Sequence, residues 1–190
     1  MIRAILWLTA ITLIPALELR ASIPFGIFGM PHELFGVDLL KLGAPVDTLG
    51  PRGSMDWWWI VFICIVANIV LGWLVFRVLG PVFTFIRRWK WFDRTIWPVL
   101  ERTRHRIHPY VEKYGELGVA VFIGIPLPGS GVYTGAFGAY LLGLDRRKFA
   151  VANVIGVLIA GAAVTALCLL ILQGFVGEES WCAKLFIKEV

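Results

Sequence analysis

Charged side chains are scarce in this sequence. Only 16% of the 190 residues are Asp, Glu, Lys or Arg, while 58% are hydrophobic and the mean hydropathy is +0.79. A soluble globular domain usually carries about 25% charged residues, so the composition excludes that class. It predicts an all-α integral membrane protein instead.

Cysteine and histidine are also rare. Two of the three cysteines, Cys64 and Cys168, lie inside apolar runs, so no disulfide framework is expected. His105 and His108 have a helical spacing, but no third ligand is near them in the sequence. The sequence therefore predicts no metal site and no cofactor.

The N-terminal run has only part of a secretory signal. Arg3 supplies a basic start and residues 4–17 an apolar core, but a small-x-small cleavage site does not follow. The chain continues instead with Glu18 and Arg20. We expect this run to belong to the membrane domain.

Positive and negative charges are separated along the chain. Residues 77–113 hold nine basic and three acidic residues, whereas residues 31–56 hold two basic and four acidic ones. By the positive-inside rule, the linker 80–115 is expected to be cytoplasmic and the loop 31–56 outside, in a multi-pass protein of the inner (cytoplasmic) membrane. This pattern predicts membrane lipid as a partner and no nucleic acid.

Two apolar runs are long enough to cross a bilayer, which takes about 20 residues. They are residues 57–79 and 149–172. The first begins with Trp57–Trp59, typical of an interfacial aromatic belt, and ends at Gly80–Pro81. The second has small residues at a spacing that allows close helix packing, namely Ala152, Gly156 and Ala160.

The other apolar segments are short and interrupted. Residues 4–30 and 117–144 each contain two arms about half a bilayer long. The predicted breaks are at Pro15, Pro24, Pro126 and Pro128. Such a pair of arms is typical of a re-entrant hairpin, which enters and leaves the membrane on one side. The alternative is a pair of kinked full spans.

The fold is therefore interpreted as two inverted repeats in a single membrane domain, 1–190, which is one compact unit or one protomer of an oligomer such as a homodimer. Each repeat is a re-entrant helical hairpin plus one transmembrane helix. The segments are the first repeat 1–80 (hairpin 4–30, outer loop 31–56, helix 57–79), the linker 81–115 with an interfacial amphipathic helix at 98–108, the second repeat 116–174 (hairpin 117–144, helix 149–172) and the tail 175–190.

Glu18 and Arg20 lie at the centre of the first hairpin. A charge at the middle of a membrane helix costs about 3 kcal/mol, so the pair needs an explanation. Two roles stay open: the residues pin the hairpin tip, or they face a water-filled cavity and bind substrate. In the second role, a Glu18 carboxyl that gains and loses a proton would couple transport to protons.

The hairpin breaks also predict an anion site. The second arms are expected to begin near Arg20–Ser22 and near Ser130–Gly131, and helix N-termini attract anions. The alternative for residues 129–131 is a simple tight turn. The predicted substrate-binding residues are Glu18, Arg20, Ser22, Asn68, Gly129, Ser130, Gly131, Tyr133, Thr134 and Asn153.

Enzyme motifs are missing from the sequence. The context of Ser130, PGSG, lacks the GxSxG nucleophile elbow, and the apolar core has neither triad partners nor a paired-carboxylate motif. We therefore expect a transporter rather than an enzyme. A lipid-modifying enzyme and a membrane scaffold are the alternatives from other classes.

Two stretches resemble a known family. ELRASIPFGI and EKYGELGVAVFIGIPLPGSGVYTGAFGAYLLGLDRRKFAVANVIGVLIAG are similar to the putative small multidrug export proteins, a family related to the DedA membrane proteins. The resemblance implies two re-entrant hairpins in inverted orientation and, from the DedA relatives, movement of anionic lipids such as undecaprenyl phosphate. Family motif positions fall on Glu18, Arg20, Pro24, Pro126, Pro128, Gly129, Gly131, Thr134 and Gly135.

The sequence and this resemblance predict a transporter or flippase that moves an anionic amphiphile through a midplane site at the hairpin tips. The substrate would be a polyprenyl phosphate or a phospholipid. Residues 117–144 contain no arginine, so the phosphate-binding role would fall to Arg20 and backbone amides. The alternative is an exporter of cationic compounds, for which Glu18 rather than Arg20 would be decisive.

Overall fold

The described part of the protein is almost entirely helical. The computed structural model describes residues 2–13, 18–29, 33–34, 37–38, 49, 55–86, 88, 115–125 and 131–173. These segments contain six helices and one antiparallel pair of two-residue strands. The elements are α1 (Ile2–Thr12), α2 (Glu18–Phe28), β1 (Glu33–Leu34), β2 (Val37–Asp38), α3 (Trp57–Ile86), α4 (Gly115–Gly124), α5 (Val132–Leu142) and α6 (Arg146–Leu172).

Among the described helices, α3 and α6 are long and apolar enough to cross a membrane, which confirms the two predicted spans. Only 33% and 39% of their most apolar windows are buried inside the protein. The exposed side chains of α3 form a stripe at helical spacing, made of Phe62, Val66, Val70, Trp73 and Leu74. An exposed apolar stripe of this length suits contact with lipid acyl chains.

The far end of α3 differs from the prediction. We expected the helix to end at Gly80–Pro81, but it continues to Ile86 with Pro81 inside it. Proline removes one N–H donor, here the partner of the Arg77 carbonyl oxygen, and the rest of the helix can continue past it. The hydroxyl of Thr84 donates to the Gly80 carbonyl oxygen at 3.0 Å, which adds a local contact across the proline.

The first pair of short helices also starts differently. α2 begins at Glu18, and Pro24 lies inside the helix, so the prediction of a hairpin break at Pro24 is wrong. Pro24 cannot donate to the Arg20 carbonyl oxygen, but α2 loses only this one bond. α1 packs against α2. The predicted break residue Pro15 lies outside the described residues.

The second pair of short helices leads directly into α6. Gly143 ends α5 in the left-handed conformation (φ 76, ψ 25), and the N–H of Leu144 donates to the Ala139 carbonyl oxygen at 2.9 Å. Asp145 then caps α6, because its Oδ2 accepts from the N–H of Arg147 at 3.1 Å. The predicted span 149–172 therefore begins three residues earlier.

The chain divides into two compact units. Unit 1 comprises Met1–Asn68 and Ala160–Val190, and unit 2 comprises Ile69–Ile159. Of the described helices, unit 1 holds α1, α2, the start of α3 and the end of α6. Unit 2 holds the remainder of α3, then α4, α5 and the start of α6. Each unit thus combines one pair of short helices with a segment of each long helix.

Small residues permit the closest helix contacts within each unit. In unit 2, a Cβ atom at Gly156 of α6 would lie 2.7 Å from the backbone oxygen of Ala120 in α4. In unit 1, a Cβ atom at Gly26 of α2 would overlap Cγ2 of Ile60 in α3. Ala152 and Ala160 are buried together with Gly156, so the small-residue face predicted for α6 packs inside the protein.

Several predictions fall on residues outside the described part. These are the amphipathic helix 98–108, the tail 175–190, and the breaks at Pro126 and Pro128. The β1–β2 pair lies in the predicted outer loop 31–56 and had no counterpart in the sequence analysis. The inverted orientation, the re-entrant path and the repeat boundaries 1–80 and 116–174 stay predictions.

Candidate functional site

Glu18 is a buried carboxyl at the first residue of α2. Its exposed fraction is 7%, and its φ of 39° lies in the left-handed region that non-glycine residues rarely adopt. Such a conformation costs about 1–3 kcal/mol and is found where the surroundings hold it. A carboxylate at a helix N-terminus interacts favourably with the helix dipole. α2 thus starts at Glu18, two residues before the predicted start near Arg20–Ser22. The side chain of Arg20 lies outside the described part.

Ser22 faces the interior of unit 1. It is fully buried, and its hydroxyl donates to the Glu18 carbonyl oxygen at 2.7 Å. The side chain of Ser22 also hydrogen-bonds that of Cys64 in α3. Because these contacts use its hydroxyl within the protein, Ser22 supports the start of α2 more directly than it offers a substrate contact.

Asn68 of α3 is a buried amide in the same unit. Its exposed fraction is 1%, and its Oδ1 has no hydrogen-bond partner among the described residues. A buried acceptor left without a partner costs about 1–3 kcal/mol. Natural proteins keep few such groups, and those they keep are often at sites of function or bind water.

Asn153 of α6 is the corresponding amide of unit 2. Its Nδ2 donates to the carbonyl oxygen of Ile69 at 3.0 Å, which ties α6 to α3. Gly72 makes this approach possible, because a Cβ atom there would overlap the Asn153 amide. Oδ1 of Asn153 is buried and finds no partner within the described segments.

The start of α5 lies beside this amide. A Cβ atom at Gly72 would also be 2.5 Å from Cγ1 of Val132, the first residue of α5, so Val132 and Asn153 meet at one point of α3. Gly131 before it is buried, and no described side chain caps this end of the helix. The hydroxyl of Thr134 donates to the Gly131 carbonyl oxygen at 3.3 Å.

The structure thus groups the predicted residues into two sets. Glu18, Ser22 and Asn68 lie on α2 and α3 of unit 1, while Gly131, Tyr133, Thr134 and Asn153 lie on α5 and α6 of unit 2. Gly129 and Ser130 are outside the described residues. Sequence reasoning missed Gly72, whose only signal was a small residue inside an apolar span.

Thr165 is a further polar residue that the sequence analysis missed. It lies on α6 in unit 1, with an exposed fraction of 8%, and its Oγ1 lacks a partner among the described residues.

No three His, Cys, Asp or Glu side chains cluster in the described segments. Each set contains one buried amide oxygen without a partner among the described residues, and such an acceptor suits a ligand that carries a hydrogen-bond donor.

Comparison with known proteins assigns the family. The model of the family described as "Putative small multi-drug export protein" matches residues 18–163. Neither a curated protein nor a solved structure matches the chain. The match begins at Glu18 and includes the described helices α2, α3, α4 and α5 in full. Together with two apolar helices able to cross a bilayer, it indicates a membrane protein, and the chain belongs to the putative small multi-drug export protein family.

Proposed function

We propose that this protein is a membrane transporter that moves an anionic amphiphile past the start of α5, without chemical change to the substrate. The observation that carries the proposal is the position of Asn153. Its partnerless Oδ1, within the described part of the chain, lies beside the first turn of an eleven-residue helix that begins at a buried glycine.

The start of α5 and the Asn153 amide favour different chemical groups on the headgroup of a substrate. The first turn of α5 has the partial positive charge that favours an anion. Oδ1 of Asn153 is an acceptor, so it favours a hydrogen-bond donor. A phosphomonoester monoanion supplies both, because it has charged oxygens and one P–OH group. A polyprenyl phosphate therefore fits better than a phosphodiester phospholipid, whose phosphate has no such donor.

Arg20 and Glu18 are proposed to assist this transport from unit 1. Arg20 would attract the anionic headgroup, and Glu18 would neutralise Arg20 while no substrate is bound. We also propose that the protein lies in the inner membrane with residues 80–115 in the cytoplasm. Trp57–Trp59 at the start of α3 are exposed and suit the opposite interface.

A flux assay in proteoliposomes tests the proposal. Three fluorescent probes are compared in the purified protein: a phosphomonoester lipid, a phosphodiester lipid and a cationic dye. We expect the phosphomonoester to move fastest, with flux lost in Arg20→Ala and reduced about tenfold in Asn153→Leu, the equivalent of about one lost hydrogen bond. Gly138→Ala serves as the control, because a Cβ atom there meets nothing within 4 Å in the described structure. Equal flux in wild type and Arg20→Ala would contradict the proposal.

Export of cationic compounds is the second candidate. It is supported by the description of the family and by the buried acceptors of unit 1, the Glu18 carboxyl and the Asn68 amide oxygen. In that case the cationic dye is the probe that moves, Glu18→Gln abolishes its flux, and Arg20→Ala does not. The two candidates therefore give opposite rankings of the same variants.

A further inference from the structure

Two contacts fix the register of α2 against α3 in unit 1. Gly26 of α2 packs directly on Ile60 of α3, and Ser22, one turn earlier in α2, hydrogen-bonds Cys64, one turn later in α3. The two helices are therefore antiparallel here, and each step of four residues advances about 6 Å along both. The next step from Ser22 and Cys64 leads to Glu18 and Asn68.

Both residues at this next step are buried and unusual. Glu18 is 7% exposed and holds a left-handed backbone conformation at the helix start. Asn68 is 1% exposed, and its Oδ1 has no partner in the described part of the unit. An amide oxygen accepts hydrogen bonds only, so an ionised carboxylate that faced Oδ1 of Asn68 would set acceptor against acceptor. A carboxylic acid would supply the missing donor.

We propose that Glu18 and Asn68 form a proton-binding pair. The Glu18 carboxylate takes one proton from water, and the resulting O–H group donates to Oδ1 of Asn68. Release breaks this hydrogen bond and returns the proton to water, so no other reactant is needed. Asn68 is thus a positioning residue that stabilises the protonated form of Glu18.

Few other charges lie in the elements around this pair. α1 contributes Arg3 in its first turn, α2 contributes Arg20, and residues 57–68 of α3 contribute only the Cys64 thiol. Residues 160–172 of α6 contain no charged residue, with Cys168 as their one titratable group. The strands β1 and β2 carry Glu33 and Asp38. Arg20 is thus the charged residue nearest in sequence, and its positive charge would favour proton release.

The inference deepens the proposed function, since it names a proton as the coupling ion of the same transporter. Its test, however, needs no substrate. Infrared difference spectra of the full-length protein in lipid nanodiscs are recorded between acidic and alkaline pH. We expect a carboxylic-acid C=O band that disappears in Glu18→Gln.

Asn68→Leu tests the partner. The carboxylic-acid band should move to higher frequency, because its hydrogen bond is lost, and the titration midpoint should fall by about one pH unit, a tenfold loss of proton affinity. Thr12→Val is the matched control: Thr12 is also buried in unit 1, but its hydroxyl donates to the Leu8 carbonyl oxygen within α1. It should change neither the band nor the midpoint.

Two results would overturn the proposal: a band that survives in Glu18→Gln, or a band and midpoint unchanged in Asn68→Leu. If Glu18→Gln does not fold, Asn68→Leu decides alone by the same two readouts. A protein that shows the pair but moves none of the three flux probes would refute the proposed function and leave this inference intact.

Discussion

α2 and α5 begin in different ways, although each follows a predicted hairpin break. α2 begins with a buried acidic residue, Glu18, in a left-handed conformation. α5 begins after a buried glycine, Gly131, whose backbone is extended (φ 161, ψ −172) and which offers no side chain. The first start places an acidic side chain at the positive end of the helix dipole, whereas the second has no side chain at that position. Under the function proposed above, similar positions serve protein structure in one unit and ligand binding in the other.

Two glycines, one from each unit, also differ in what they approach. Gly156 in unit 2 approaches backbone, the Ala120 carbonyl oxygen, whereas Gly26 in unit 1 approaches a side chain, Ile60. A side chain can move without its backbone, but a helix backbone cannot move without disturbing its own hydrogen bonds. Gly156 should therefore tolerate a larger side chain less well than Gly26. The following variants test this difference.

Gly156→Ala should have the largest effect. The new Cβ atom would lie 2.7 Å from the Ala120 carbonyl oxygen and 2.7 Å from Cβ of Ile123, so α6 must move away from α4. We expect the free energy of unfolding to fall by about 3 kcal/mol, the upper end for overpacking. Reversible unfolding in mixed micelles, followed by tryptophan fluorescence, measures this value. A loss of unfolding free energy smaller than that of Gly26→Ala would contradict the expected order of the two variants.

Gly26→Ala should cost less, about 1–2 kcal/mol, by the same measurement. The new methyl group meets Cγ2 of Ile60, which is buried and β-branched and so has few alternative rotamers. The double variant Gly26→Ala with Ile60→Val removes part of the obstacle. It should recover stability relative to Gly26→Ala alone, and failure to do so would place the strain elsewhere.

Asn153→Leu should cost about 1 kcal/mol, typical of a hydrogen bond between membrane helices. It removes the donor to the Ile69 carbonyl oxygen. Asn68→Leu is the matched contrast, because it removes an amide oxygen that has no partner among the described residues. At alkaline pH, where the proposed bond from Glu18 is absent, it should leave stability unchanged or raise it. Equal losses in the two variants would show that Asn68 also makes a stabilising bond.

Gly138→Ala should have the smallest effect and the opposite sign. Gly138 lies inside α5, and a Cβ atom there meets nothing within 4 Å in the described structure. Alanine favours a helix over glycine by up to about 1 kcal/mol, so we expect a gain of about 0.5 kcal/mol. A loss would indicate that this face of α5 is covered in the folded protein.

The long helices could be predicted from the sequence because their signal is strong. Uninterrupted apolar runs identified α3 and α6, and the small-residue face of α6 followed from residue spacing. Helix ends were less predictable where proline was involved. The sequence predicts a hairpin break at Pro24 and a helix end at Gly80–Pro81, but both prolines lie inside helices. A proline removes one hydrogen bond, and packing of the whole helix outweighs that loss.

The candidate site could be predicted by residue type but not by contact. A charge and two amides inside apolar runs marked Glu18, Asn68 and Asn153, and all three are buried. The sequence could not indicate that Asn153 bonds the Ile69 carbonyl oxygen. Nor could it predict that Gly72 allows the Asn153 amide to approach α3 closely. Both depend on which turns of separate helices meet, and one sequence carries no direct record of that register.

The length of α3 has a consequence for the surrounding lipid. Its 30 residues extend about 45 Å, while a hydrocarbon core is about 30 Å thick. Tilt alone would need about 48°, beyond the usual range of about 0–40°. The section from Trp57 to Arg77 is about 30 Å long, and the Arg77 guanidinium lies 5.2 Å from the Trp73 ring centroid. If this section spans the hydrocarbon core, the last two turns, with Val82 and Phe85 exposed, would lie in the headgroup region, and the proposed transport should respond to acyl-chain length.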